Sequence, residues 1–153
     1  MASVKVEFIY YNENGDPRLE FGLNGNFTTR VLSSYCSEDK EYLYALKKAV
    51  SRNTIIIVVG GFRDDGHLMK VTALSIGRKI ESYDFVGMGY GKVANAPDLL
   101  PEKCLPLVDK EGQFAGILLE SGPQSIIMLS ENNPNKSFII KEYISPYVEE
   151  KHK

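Results

Sequence analysis

Ile55-Ile56-Ile57-Val58-Val59-Gly60-Gly61-Phe62-Arg63-Asp64-Asp65-Gly66 is the stretch of sequence that decides the fold. Its first five residues are all β-branched, and such an apolar run is typical of a strand buried on both faces of a parallel sheet. The run ends abruptly at Gly60 and Gly61, and a charged loop then leads toward a predicted helix. Because ligands of open α/β sheets bind at the carboxyl ends of central strands, Gly60–Lys70 is the first candidate for a site.

The composition is that of an ordinary globular protein. The chain has 153 residues, of which 43% are hydrophobic and 25% charged, and this length favours a single domain with a substantial core. The formal net charge is -2, and no long cluster of Lys and Arg occurs. Neither property favours a nucleic-acid partner.

The sequence favours a cytoplasmic location. No window contains the roughly 18 apolar residues that a membrane-spanning helix needs. The first residues, Met-Ala-Ser-Val-Lys-Val, lack the apolar region of a secretory signal. Cys36 and Cys104 lack the spacing of a zinc site or a disulfide framework. We therefore expect two reduced thiols and no membrane partner.

The N-terminal residues predict a β-hairpin. Val4–Tyr11 alternates apolar and polar residues, Asn12–Pro17 is rich in turn residues, and Leu19–Leu23 alternates again. A third short strand is expected near Phe27–Leu32.

Two helices are predicted on either side of the buried strand. Ser37 is a suitable N-cap for the first, and acidic residues follow it in the first turn. Met69–Ile80 is the predicted second helix. A helix that leads into a core strand through a very short loop is typical of α/β units. The apolar face of the first helix consists of Leu43, Leu46, Ala49 and Val50.

The C-terminal half predicts a second hairpin and a closing helix. Leu105–Val108 is expected to be a short strand, and residues 114–129 two strands joined by a tight turn. Phe138–Val148 is the predicted helix, which Pro146 is expected to end early. The predicted fold is one α/β domain spanning residues 1–153, three-layer-like, with a mostly parallel central sheet.

Three stretches, taken in order, carry a resemblance to a known family. They are the buried strand with Gly60-Gly61 and Asp64-Asp65 beyond it, Leu100–Gly116, and the strand, polar loop and helix in Ile126–Tyr147. They resemble the Thr-Gly-Gly turn with its acidic pair, the hairpin and the Leu-Pro-Gly loop of the molybdopterin-binding type of domain. This domain is found at the N-terminus of competence/damage-inducible protein A and in molybdenum-cofactor biosynthesis proteins. The resemblance covers residues 31–148, with residues 1–30 as a divergent N-terminal hairpin, and implies a homo-oligomer.

The sequence departs from the family at the positions that would carry its chemistry. Val59 replaces the threonine before the glycine pair, and the loop after Gly61 is shortened to Phe62-Arg63. Ser130–Pro134 replaces the Leu-Pro-Gly loop, and the N-terminal hairpin replaces the family's first strand and helix.

The resemblance also implies a site for a nucleotide or a pterin-like small molecule. In the family, the glycine turn lets main-chain N–H groups approach phosphate, as Gly-rich turns before helices do in general. The acidic residue beyond it assists metal-dependent nucleotide chemistry. The implied catalytic and metal-binding residues, for Mg²⁺, Mn²⁺ or Co²⁺, are Asp64 and Asp65. The candidate ligand-binding residues are Gly60, Gly61, Arg63, Lys70, Ser130 and Asn132.

Alternatives stay open for these residues. Asp64 and Asp65 either serve a site or only cap the following helix and offset its dipole. His67, in the same loop, is either a general base or a surface residue. The favoured hypothesis is a degenerate, non-catalytic domain that acts as a binding or assembly module. The alternative is a metal-dependent nucleotide pyrophosphatase or nucleotidyl-transfer enzyme.

Overall fold

A six-stranded sheet forms the centre of the computed structural model, which describes residues 2–11, 19–52 and 54–152. The strands are β1 (Ala2–Tyr11), β2 (Phe27–Cys36), β3 (Ile55–Val59), β4 (Ile80–Ser82), β5 (Leu99–Pro101), β6 (Leu105–Val108), β7 (Phe114–Ser121) and β8 (Gln124–Leu129). The order in the sheet is β2-β1-β3-β8-β7-β6, and its first four strands are parallel. β7 is antiparallel to both neighbours, and β4 and β5 form a separate antiparallel pair.

Helices cover both faces of this sheet, so the fold has three layers. One face packs against α1 (Asp39–Arg52) and α2 (His67–Ser75). The other packs against a C-terminal helical segment made of α3 (Lys136–Ile139), a π-helical turn (Ile140–Ile144) and α4 (Ser145–Lys151). The predicted α/β class and mostly parallel sheet are confirmed. Within the described ranges, no helix is long and apolar enough to cross a membrane.

The central strand β3 is buried along its whole length. Ile55 and Ile57 enter the core under the C-terminal helical segment, while Ile56 and Val58 enter the core under α1 and α2. These four side chains have no exposed surface. Because both faces of the strand are buried, its sequence is a continuous apolar run and does not alternate apolar with polar residues.

The second predicted hairpin is confirmed. β7 and β8 pair in antiparallel register from Gly116↔Leu129 to Ser121↔Gln124, so a two-residue turn connects them. β8 then pairs in parallel with β3, and the hairpin therefore joins the antiparallel edge of the sheet to its parallel centre.

The predicted N-terminal hairpin is wrong, because β1 and β2 run parallel, from Ala2↔Phe27 to Tyr11↔Cys36. Two parallel neighbours need a connection that returns along the sheet, which a tight turn cannot provide. Residues 19–23 accordingly form no strand, although Leu19 and Phe21 are buried in the core beneath the C-terminal helical segment. Their alternation reflects burial against that core and not pairing. The predicted turn at residues 12–17 lies outside the described residues.

Three other predictions differ from the structure at the ends of elements. The strand expected near Phe27–Leu32 extends to Cys36, and the second helix begins at His67 and ends at Ser75. Pro146 does not end the closing helix, because it lies in the first turn of α4, directly after the π-helical turn. A proline is tolerated there because no backbone N–H is needed from it.

We expect Ile57→Ala to lower the free energy of unfolding by about 2–5 kcal/mol, because it removes buried methylenes and leaves a cavity in a strand that cannot collapse inward. Urea denaturation followed by circular dichroism measures this loss. The matched control is Leu74→Ala on α2, where the side chain is 69% exposed and the change should be small. Equal losses in the two variants would contradict the central role of β3.

Candidate functional site

The candidate site lies where the parallel strands end. β1, β3 and β8 are neighbours and parallel, so the loops that follow them share one edge of the sheet. β6 runs in the same direction as β8, so the turn that contains Asp109 lies at this edge as well. The topology therefore brings Gly60–Lys70 and Ser130–Asn135 together, as expected for an open α/β sheet.

The Gly60-Gly61 turn is present, and the side chain of Glu131 occupies it. The two glycines have φ of 127° and 117°, which L side chains rarely adopt, and a Cβ on Gly61 would lie 2.6 Å from Cε of Met128. The N–H groups of Gly61 and Phe62 donate to Oε2 and Oε1 of Glu131, at 2.9 and 3.1 Å. The donors that would face a phosphate thus already hold one carboxylate.

A polar cavity of about 730 Å³ opens beside this turn. Four of the predicted residues line it, namely Asp65, Lys70, Ser130 and Asn132. Its wall also contains amide side chains and the aromatic rings of Phe62 and Phe114, which contact each other edge to face with centroids 5.0 Å apart. The cavity has a size typical of small-molecule sites.

The other predicted residues lie around a second, smaller cavity of about 80 Å³. Gly61, Arg63, Asp64 and His67 line it together with Glu131. The predicted set is therefore divided between two cavities, and Glu131 lines the smaller one. Gly60 is adjacent to this carboxylate, since a Cβ there would lie 3.4 Å from Oε2 of Glu131.

Asp64 and Asp65 do not act as a convergent pair. Both have left-handed backbone, with φ of 52° and 56°. Asp64 lines the small cavity, whereas Asp65 lines the large one. Across residues 2–11, 19–52 and 54–152, no group of three or more His, Cys, Asp or Glu side chains could hold a metal ion. Asp64 and Asp65 therefore contribute to two cavities and not to one paired-carboxylate site.

Asp109 is a residue that the sequence reasoning missed. Its carboxylate accepts hydrogen bonds from the N–H groups of Glu111 and Gln113 and from the side-chain amides of Asn133 and Asn135, at 2.9–3.0 Å. Burial pushes the pKa of Asp109 up, but these four hydrogen bonds hold it below its ordinary value. The side chain therefore fastens the β6–β7 turn to the loop after β8.

A cluster of Tyr11, Asp39 and His67 was also missed. Oδ2 of Asp39 lies 2.5 Å from Nε2 of His67, and the Tyr11 hydroxyl donates to Oδ1 at 2.8 Å. The hydrogen bond from His67, followed by that from Tyr11, lowers the pKa of Asp39. Burial and the bond to Asp39 raise the pKa of Tyr11 to about 12. His67 therefore has an orienting carboxylate, which the sequence spacing does not reveal because Asp39 belongs to a different helix.

We expect His67→Ala to raise the pKa of Asp39 toward its ordinary value, because the variant removes the largest stabilising contact of the carboxylate. Tyr11→Phe should raise it by a smaller amount. NMR titration of the Asp39 side-chain carboxyl carbon measures both shifts, with Lys40→Ala as the neighbouring control. A pKa of Asp39 that is the same in all four proteins would show that this cluster does not form in solution.

Comparison with known proteins places the fold but not the family. No protein-family model matches the chain, and no curated protein does. Among solved structures, the crystal structure of the protein CinA from Thermoplasma acidophilum, described as having unknown function, matches with a TM-score of 0.67 and 15% identity. The match covers 94% of this chain and 98% of that one. The chain therefore has a CinA-like fold over nearly its whole length.

Proposed function

We propose that this protein is a degenerate, non-catalytic domain of the molybdopterin-binding type that acts as a binding module. Its ligand is a nucleotide-like or pterin-like small molecule in the polar cavity. The observation that carries the proposal is the carboxylate of Glu131 on the N–H groups of Gly61 and Phe62. A negative charge at this point repels phosphate and fills the donors that would stabilise it.

The polar cavity supports a ligand of a particular kind. Lys70 offers one positive charge, whereas Asp65 and Asp98 bring two negative ones, so the lining does not favour a polyphosphate. Asn132 and Gln113 offer amide donors and acceptors, and the ring of Phe62 offers an apolar wall. Amides beside an aromatic ring suit a flat heterocycle with hydrogen-bonding edges, such as a nucleobase or a pterin.

The proposal includes an assembly role. β2 is an edge strand of the sheet, and along it Val31 and Tyr35 are 44% and 61% exposed. Apolar side chains on an open edge favour association with another chain. We therefore propose a homo-oligomer, which light scattering tests. We also propose a cytoplasmic location, in keeping with the free thiols of Cys36 and Cys104.

The alternative enzyme, a metal-dependent nucleotide pyrophosphatase or nucleotidyl transferase, is tested by direct assay. We expect no mononucleotide release from ADP-ribose, FAD or ATP in the presence of Mg²⁺, Mn²⁺ or Co²⁺, because the two aspartates line different cavities. Turnover that Asp64→Asn or Asp65→Asn abolishes would overturn the non-catalytic proposal.

We expect Glu131→Ala to bind inorganic phosphate at least about tenfold more tightly than the wild type, a gain of about 1.4 kcal/mol. The variant frees the N–H groups of Gly61 and Phe62 and removes a negative charge. Isothermal titration calorimetry measures the affinity, and Glu142→Ala, at an exposed glutamate of the π-helical turn, is the matched control. Equal phosphate affinity in the two variants would show that Glu131 does not block an anion site.

Ligand binding in the polar cavity is tested with GMP and neopterin as probes. We expect at least one of them to raise the melting temperature of the wild type, and Lys70→Ala and Asn132→Ala to reduce that shift. Lys47→Ala, at an exposed position of α1, is the control and should leave the shift unchanged. A shift that none of these variants alters, or no shift with either probe, would contradict binding at this cavity.

A further inference from the structure

A third cavity, of about 400 Å³, is lined almost entirely by apolar side chains among the described residues. It is on the sheet face covered by the C-terminal helical segment, since Leu107, Leu118, Ile127 and Ile144 belong to both its lining and that core. Among the residues that the structure describes, it shares none of its lining with the polar cavity. It is therefore a separate site, and the proposed function does not use it.

Two irregularities of the backbone shape this cavity. The π-helical turn Ile140–Ile144 contributes Tyr143 and Ile144 to the lining. The lining residues Leu107 and Val108 of β6 lie at a bulge of the β6–β7 pair, where β7 carries one extra residue, Ala115. π-Helical turns and β-bulges are costly relative to regular structure and occur frequently beside functional sites. Here a π-helical turn and a β-bulge border the same cavity.

The lining determines the kind of ligand. None of the described residues that line it is charged, and the rings of Tyr90, Tyr143 and Tyr147 share the lining with aliphatic side chains of β6, β7 and β8. The hydroxyl of Tyr90 donates to the carbonyl of Pro106, and that of Tyr147 bonds to Glu120 and Ser125. Because these two hydroxyls have partners within the protein, the cavity offers mainly ring surface and hydrocarbon. Such a lining attracts an uncharged, aromatic molecule.

A protein partner fits this cavity poorly. β6 is an edge strand, but Pro106 has no backbone N–H to offer to an added strand, so strand addition is disfavoured. Only Leu105 and Tyr143, 51% and 42% exposed, are exposed among its lining residues. A stable protein interface buries about 800 Å² on each partner, which a concave opening with two exposed residues does not supply.

We propose that this cavity is a binding site for an uncharged aromatic small molecule, held between the sheet and the π-helical turn. Its volume lies within the range of 300–1,000 Å³ that is typical of small-ligand sites. Binding there would bury the exposed parts of Leu105 and Tyr143.

The test uses the neutral fluorescent probe N-phenyl-1-naphthylamine. We expect saturable fluorescence enhancement with one probe per chain, weakened at least about tenfold by Leu105→Trp, which fills the mouth of the cavity. The matched control is Leu74→Trp, at an exposed leucine of α2. Each variant introduces one tryptophan into a chain that has none, so the two proteins differ only in where the indole lies. Equal probe affinity in both variants would overturn the proposal.

A second measurement keeps the test independent of variant folding. In the wild type, the probe should shift the methyl NMR signals of Leu118 and Ile127, which line the cavity, and leave that of Ile56, in the opposite core, unchanged. Absence of shifts at Leu118 and Ile127 would contradict the site. If the probe does not bind and Leu105→Trp instead converts an oligomer to a monomer in light scattering, the cavity is an interface between copies and the proposal is overturned. None of these outcomes depends on Glu131, Lys70 or Asn132, so they are distinguishable from failure of the proposed function.

Discussion

The fold depends on the parallel pairing of β3 with β1 on one side and β8 on the other. This pairing places five β-branched residues where neither face meets water, and at about 25 cal/mol for each Å² of buried apolar surface it is a major source of stability. The pairing also makes the three strands run in the same direction. Since three neighbouring strands end together, the glycine turn after β3 and the loop after β8 must meet at one edge of the sheet, whatever the sequences of those loops.

The convergence of these two loops explains why a side chain of the protein itself occupies the predicted phosphate-binding turn. The glycine pair keeps the backbone conformation that exposes N–H groups, but β8 delivers Glu131 to the same point. A carboxylate that accepts two N–H groups makes charge-assisted hydrogen bonds, which are stronger than those of a neutral acceptor. An anionic ligand would have to displace this side chain and leave its charge close by. In this structure the glycine turn therefore makes a structural contact within the protein.

The sequence predicts best those features that depend on one segment alone. The buried run of β3 and the hairpin at residues 114–129 carry their own patterns of burial and turn residues, and both are confirmed. The N-terminal pattern failed because alternation indicates which side chains are buried, but not which strand is the neighbour or in which direction it runs. Glu131, Asp109 and Asp39 were missed for a related reason. Each acts on a residue of another segment, and the one available signal was an acidic residue soon after a predicted strand, as at Asp109 and Glu131.

The rigidity of the site edge follows from Asp109. A buried carboxylate is costly unless its oxygens are fully hydrogen-bonded, and here two backbone and two side-chain donors satisfy them. The side-chain NH₂ of Asn133 donates to this carboxylate and to the carbonyl of Phe114, and its side-chain oxygen accepts from the N–H of Asn135. The loop after β8 is thus held from several directions, and Lys136 adds bonds to the carbonyls of Glu131 and Asn133. A wall fixed in this way loses little conformational entropy when a ligand enters. The same network that fixes the loop carrying Glu131 beside the glycine turn therefore keeps the wall of the adjoining polar cavity preformed.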